Sequence, residues 1–295
     1  MELAIHNWMR AESLEHTLNR INKLGYTHIE IQGAPESYDT QKAQLLLDIY
    51  GIKCWGSVTL MLDQRNLLAK DPAQRKISVQ YVKDVAKMVH ELGGSVISLV
   101  PATVGKIVPE ARPEEEWEWA VEGIQEIYSY TEDHGLKIGI EPINRFETYF
   151  INRGEQALAL AEEIGPNCGV CLDTFHMNLE EADMYATIKK VGKRLVNFHV
   201  ADNNRMAPGM GHLNWPKIIT TLKEVDYNET LSVEFCAPLD RTPANPYPNS
   251  IETNPEGLTA EQKKFLEDHG SSAITDEFYT MLTKKSMDTL KELIQ

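Results

Sequence analysis

GVCLDTFHMNLEEADMYATIKKVGKRLVNFHVAD (Gly169–Asp202) opens on a short β-branched run, crosses a longer mixed segment and closes on a second run, LVNFHV (Leu195–Val200). Such a pattern reads as strand, helix, strand, the unit of a parallel sheet. The same alternation extends in both directions. LAIHNWM from Leu3, THIEIQ from Thr27, IKCWGS from Ile52, SVISLVP from Ser95, KIGIEP from Lys137 and LSVEFC from Leu231 complete a set of eight strand candidates. Helix-period segments lie between them, among them SLEHTLNRINKLG, with Ser13 placed to cap its start and Gly25 to stop it. Eight βα units predict an α/β fold, a (β/α)₈ TIM barrel forming a single domain over residues 1–295. An open doubly wound sheet is the alternative. From Cys236 the periodicity fails: CAPLDRTPANPYPNSIETNPEGL carries five prolines. Residues 238–270 therefore read as an elaborated loop after strand eight, followed by a C-terminal helix ending DEFYTMLTKKSMDTLKELI.

Composition narrows the function. The chain has 44 Asp+Glu against 29 Lys+Arg, a formal net charge of −15. Such a field repels phosphate backbones and anionic headgroups, so neither nucleic acid nor a membrane is an expected partner. The amino end lacks a basic region followed by an apolar one, and the longest apolar stretch, near Ser95 to Val104, is shorter than a membrane span. A cytoplasmic protein is expected. Four scattered cysteines make no disulfide framework, and Cys168 and Cys171, three apart on a strand, point to opposite faces.

In a barrel of this kind the active site lies at the carboxyl ends of the strands. Four consecutive strands place an ionisable residue there: Glu141 after KIGI, Asp173 after GVCL, His199 in VNFH and Glu234 in LSVE, spaced 32, 26 and 35 residues apart. Three carboxylates and one imidazole form a hard, oxygen-rich set that suits one divalent ion, Mn²⁺, Mg²⁺ or Co²⁺, better than structural zinc. Such an ion would offset buried anions that are otherwise costly. Pairing with Arg145 or Arg205 is the structural alternative. Glu141 and Glu234, outermost of the four, would bracket a substrate held at the ion, a geometry suited to proton transfer by two carboxylates.

These segments resemble the xylose-isomerase-like TIM barrels, and among them the ketose 3-epimerases of the D-tagatose and D-psicose type. The resemblance lies in EPINRFE (Glu141–Glu147), LDTFHMNLEE (Leu172–Glu181), FHVADNNRMAPGMGHLNW (Phe198–Trp215) and VEF (Val233–Phe235). It implies a metal ion, Mn²⁺ foremost, held by Glu141, Asp173, His199 and Glu234. It also implies that Glu147, His176 and Arg205 bind the sugar. Glu141 and Glu234 would remove and return a proton through a metal-stabilised enediolate, making the chain a sugar epimerase or isomerase. A homo-oligomer, dimer or tetramer, is implied too, with a partner subunit as a further option. His6 and Glu30 are expected to touch the substrate site, with Trp8 and Trp117 as weaker candidates. Pro208–Gly211 is a weak candidate phosphate cradle.

Two loops depart from the family pattern: PATVGKIVPEARPEEEW after strand four, and CAPLDRTPANPYPN after strand eight. Both are expected to overhang the substrate, and the second has room for an aglycone or a partner chain. The alternative function is therefore a lyase or dehydratase acting on a keto-sugar, 3-keto-glycoside or inosose. An abasic-site endonuclease resembles this fold as well, but the charge of −15 and the single histidine oppose it. A noncatalytic carbohydrate-binding protein is disfavoured by Glu141 and Glu234.

Overall fold

Ser13 accepts a hydrogen bond from the His16 amide, and Gly25 adopts a φ of 88°, so helix α1 (Leu14–Leu24) starts and stops where its sequence signals stand. The structure is a computed structural model describing residues 1–251, 259–260, 263 and 273–295. Ahead of α1 runs β1 (Glu2–Ile5), and the alternation continues with β2 (His28–Gly33), α2 (Thr40–Tyr50), β3 (Lys53–Thr59) and α3 (Pro72–Glu91). Next come β4 (Val96–Leu99), α4 (Pro113–Asp133), β5 (Lys137–Ile140), α5 (Gly154–Ile164) and β6 (Cys168–Asp173). Two short helices, α6 (Thr174–Glu180) and α7 (Met184–Val191), precede β7 (Leu195–Val200); α8 (Trp215–Glu224), β8 (Thr230–Val233) and α9 (Asp276–Ile294) follow. Asp71 and Asn214 cap α3 and α8 with their side chains, and each of those helices carries a proline in its first turn.

Every named strand pair is parallel, and the order runs β2 to β8 in sequence, with β8 next to β1. The ring meets between β1 and β2 through one parallel bridge, His6 with Glu30. This is the (β/α)₈ barrel; a doubly wound sheet would reverse its strand order instead. The main core lies between strands and helices. A separate apolar cluster of Ala4, Trp55, Val96 and Val196 joins β1, β3, β4 and β7 across the interior, so one end of the barrel is packed shut.

α9 packs against α1 and α8, the place of the helix that follows strand eight. Of the expected 238–270 elaboration, residues 238–251 form turns ending in a bridge between Ile251 and Ile274; most of the remainder lies outside the described residues. The C-terminal helix is tied down by charge. Arg20, 5% exposed, bonds both oxygens of Glu12 and reaches Asp276 at the start of α9. Burial pushes the Glu12 carboxyl up, but Arg20, Thr17 and Arg10 hold it below the usual range. Glu12→Gln, which leaves Arg20 paired with Asp276 but facing a neutral amide, should cost about 1.5–3 kcal/mol in urea unfolding. Because the folded pKa of Glu12 is lowered, its contribution is complete above the ordinary carboxylate pKa and fades as pH falls through the folded value. The variant's deficit should therefore shrink in acid.

Candidate active site at the carboxyl rim

Each of the four rim residues leaves the sheet at the same level. Glu141 and Glu234 directly follow β5 and β8, Asp173 ends β6, and His199 is the penultimate residue of β7. Adjacent strands bring them together, so that one ligand atom from each lies within 4.8 Å of the others. His199 Nδ1 is 3.0 Å from Glu141 Oε1 and 3.1 Å from Glu234 Oε2. Asp173 Oδ1 accepts the His176 amide at 2.9 Å and caps α6. All four are at least 95% buried.

Charge in this cluster is unbalanced. Burial pushes Asp173 well above the usual carboxylate range, and Glu234 and Glu141 push it further. Glu141 is also raised by burial, with Glu234 and Glu30 adding to it against His199. Burial works the same way on Glu234, but His6, His199 and Arg205 outweigh it and hold this carboxyl well below its usual range. Three buried carboxylates around one imidazole nitrogen are the donor set of a divalent-cation site, and these residues fit one.

The floor beneath orients His199. Its Nε2 faces Glu30 Oε1 at 3.3 Å and Ser98 Oγ at 3.4 Å. Glu30, held down to about 2 by His6 and His199 although burial opposes it, remains an acceptor. Burial would lower the His199 imidazole, but Cys171, Glu141, Glu30 and Glu234 raise it well above its usual range. In the ion-free chain Nδ1–H therefore donates towards Glu141 and Glu234, and an ion bound there would take the place of that hydrogen. Asn197 Nδ2 donates to both oxygens of Glu30, and its own Oδ1 accepts the Trp55 indole at 2.9 Å.

His6 and Glu30 are fully buried in this floor. His6 Nε2 stands 3.7 Å from Glu30 and 3.8 Å from Glu234, and its ring meets that of His199 edge-on. Neither lines the cavity above, contrary to the expectation that they touch a substrate. Trp8 does line it, donating its indole N–H to Glu234 Oε1 at 2.9 Å.

The cavity over the rim measures about 560 Å³. One wall is polar. Arg205 Nη1 donates to Glu147 Oε1 at 2.9 Å, and Asn144 Nδ2 donates to the same oxygen at 2.8 Å. Asn144 also donates its backbone N–H to His176 Nδ1 at 3.2 Å, which leaves the imidazole hydrogen on Nε2. Burial and the nearby Arg205 push His176 down to about 4, so it is neutral at pH 7. Burial raises Glu147, but Arg205 and His176 hold it below its usual range. The rest of the lining includes an apolar set: Val58, Leu60, Met61, Val100 and Val104. Val104 and Gly105 bring the loop after strand four over the cavity as expected; from strand eight's loop, Cys236 reaches it.

Other candidates fall elsewhere. Trp117 lies in α4 with its indole on Glu163, away from the cavity lining. At the Pro208–Gly211 turn the Gly209 amide is taken by the Asp202 carboxylate and the Met210 amide by Ala207 O, which disfavours a phosphate there. Cys168 and Cys171 are buried free thiols, and burial pushes Cys168 up to about 12. Asn144, Asn197 and Asp202 were not picked out from the sequence. Only Asn197 carried a signal, since two residues before His199 on one strand share its face.

Among the described residues no helix is long and apolar enough to cross a membrane. The family model for the xylose isomerase-like TIM barrel matches residues 18–269. A D-psicose 3-epimerase from Enterocloster bolteae is 30% identical over 231 residues, 74% of this chain and 75% of the relative. One from Ruminiclostridium cellulolyticum is 29% identical over 233 residues, 75% and 77% of the two chains. The crystal structure of D-psicose 3-epimerase with D-tagatose from Clostridium cellulolyticum H10 superposes with a TM-score of 0.82 over all of both chains, at 22% identity. With the rim residues, the closed barrel and these matches together, the chain belongs to the xylose isomerase-like TIM barrel family.

Proposed function

We propose that this protein is a divalent-metal-dependent ketose 3-epimerase in which Glu141 and Glu234 exchange a proton at the carbon beside the carbonyl. The observation that carries the reading is the convergence of these two carboxylates on His199 Nδ1 from the β5 and β8 sides, at the base of a cavity. The relatives named above, both D-psicose 3-epimerases, support a ketose as the substrate class.

The chain's own groups divide the work. Glu234 is held ionised by His6, His199 and Arg205, and Trp8 fixes one of its oxygens. Burial and the neighbouring carboxylates raise Glu141 in the ion-free chain, and a bound ion would lower it again. The two carboxyls, reaching the site from the β5 and β8 sides, would trade the roles of base and acid with the direction of reaction. The carbon acid beside a ketone is weak, and its enediolate must be shielded from water. The apolar lining residues Leu60, Met61 and Val100 supply that shielding, while neutral His176 and cationic Arg205 offer donors to hydroxyls. A divalent ion held by Glu141, Asp173, His199 and Glu234, with Mn²⁺ the first choice, would supply Lewis-acid polarisation of the carbonyl and its neighbouring hydroxyl.

The protein loaded with Mn²⁺ should convert a ketohexose or ketopentose into its C3 epimer, read as a new sugar by proton NMR. Release of water or an aglycone from a keto-sugar or 3-keto-glycoside would replace this reading with a lyase. Glu147→Gln keeps the shape of the polar wall but removes the charge facing Arg205. It should raise KM about tenfold and leave kcat within about threefold, the signature of lost binding common to ground and transition states.

A further inference from the structure

Arg205 is a non-glycine residue at a φ of 59°, in the left-handed region that side chains seldom adopt. Its backbone is clamped there from both sides. The Arg205 amide donates to Asp202 O at 2.8 Å, the Asp202 amide donates to Met206 O at 2.8 Å, and Arg205 O accepts the Cys236 amide at 2.7 Å.

The Asp202 side chain, 1% exposed, closes the rest of the loop. Oδ1 accepts the amides of Asn203 at 3.0 Å and Leu213 at 3.1 Å. Oδ2 accepts the Gly209 amide at 2.8 Å and the Trp215 indole at 3.1 Å. Burial would push this carboxyl up, yet those four donors hold it below its usual range. The fit is tight, since a Cβ on Gly211 would come within 2.2 Å of Asp202 Oδ1. One carboxylate thus fastens both ends of the segment from Asp202 to Trp215. The side chain that segment delivers to the cavity is Arg205, which meets Glu147 from β5's loop.

We propose that Asp202 is a positioning residue for Arg205: by locking this loop it places the guanidinium against Glu147, and so governs substrate affinity rather than turnover. This rests on the reading of the cavity as a sugar site. A carboxylate is required because all four partners are donors, and a side-chain amide presents two acceptor sites but also its own N–H groups.

Asp202→Asn puts an amide nitrogen against donors, with little change of volume. It should raise KM for the ketose tenfold or more, leave kcat within about threefold and leave Mn²⁺ stoichiometry by calorimetry unchanged. Arg205→Lys should raise KM similarly, and the double variant should be no worse than Arg205→Lys alone, because the first residue acts through the second. Additive losses, or a wild-type KM in Asp202→Asn, would overturn the proposal. Should Asp202→Asn fail to fold, Gly211→Ala, which crowds the same oxygen, carries the same cycle and the same expected result. A wild-type chain inert on every ketose would remove the sugar reading alone. Asp202 is then judged by a crystal structure of the variant without substrate, expected to show residue 205 out of the left-handed region and its bond to Glu147 broken. An intact pair there overturns the proposal.

Discussion

Glu141→Gln and Glu234→Gln are each expected to lower kcat for ketose epimerisation by about a thousandfold or more. Proton transfer by one positioned carboxylate contributes roughly 10²–10⁴-fold, and the amide can neither take nor give the proton. Either substitution also removes one of the two carboxylate charges facing His199 Nδ1 at 3.0 and 3.1 Å, so bound Mn²⁺ must be measured beside turnover and the comparison made on loaded protein. The two variants should differ in one respect. For a given epimer, the variant that keeps the abstracting carboxylate should still exchange the C3 hydrogen with solvent without inverting the centre, while the other should not. Reversing the epimer should reverse the pattern. Near wild-type turnover in either variant would remove the two-carboxylate mechanism.

Stripping divalent ions with a chelator is expected to abolish turnover, with recovery on adding Mn²⁺. Without a cation, the buried carboxylates of Glu141, Asp173 and Glu234 repel one another, which is why burial and mutual charge raise two of them. An ion that binds only the folded chain at a hundred times its Kd stabilises by about 2.7 kcal/mol, which should raise Tm by about 4 °C in a chain of this length. The direction with pH follows from the raised values. Asp173 and Glu141 are protonated more readily in the folded ion-free chain than in the unfolded one. They therefore favour the ion-free fold in acid and cease to do so as pH rises through their folded pKa. Ion binding requires both deprotonated, so the Tm gain from Mn²⁺ should be large near neutral pH and shrink as pH falls. Full activity in protein shown to be free of metal would contradict the assignment of this site.

What the sequence disclosed and what it hid divide along physical lines. Glu141, Asp173, His199 and Glu234 were legible because an ionisable residue ending an apolar strand stands out, and parallel strands of a barrel end at one level. His6 and Trp8 were weighed the wrong way round for a different reason. The in-out alternation puts His6 inside the barrel with Ala4, where it bridges to Glu30, but alternation does not say whether an inward side chain stays in the floor or reaches the cavity. His6 turned down into the floor and Trp8 up into the cavity. Asp202 and Asn144 were invisible because they act by closing loops, and their partners, such as Leu213, Trp215 and His176, are fixed only when the chain has folded. The Gly-rich turn read as a weak anion cradle does bind an anion, but it is the chain's own Asp202.

The central claim is proton exchange between two carboxylates on opposite sides of one carbon. Its most direct test is to run the Mn²⁺-loaded protein on a ketose in D₂O and follow early turnover by proton NMR. The new epimer should carry one solvent deuterium at C3 in every molecule, because the proton taken by one glutamate is not the one returned by the other. A product that retains the original hydrogen at C3 would require a single shared base and would contradict the assignment of Glu141 and Glu234.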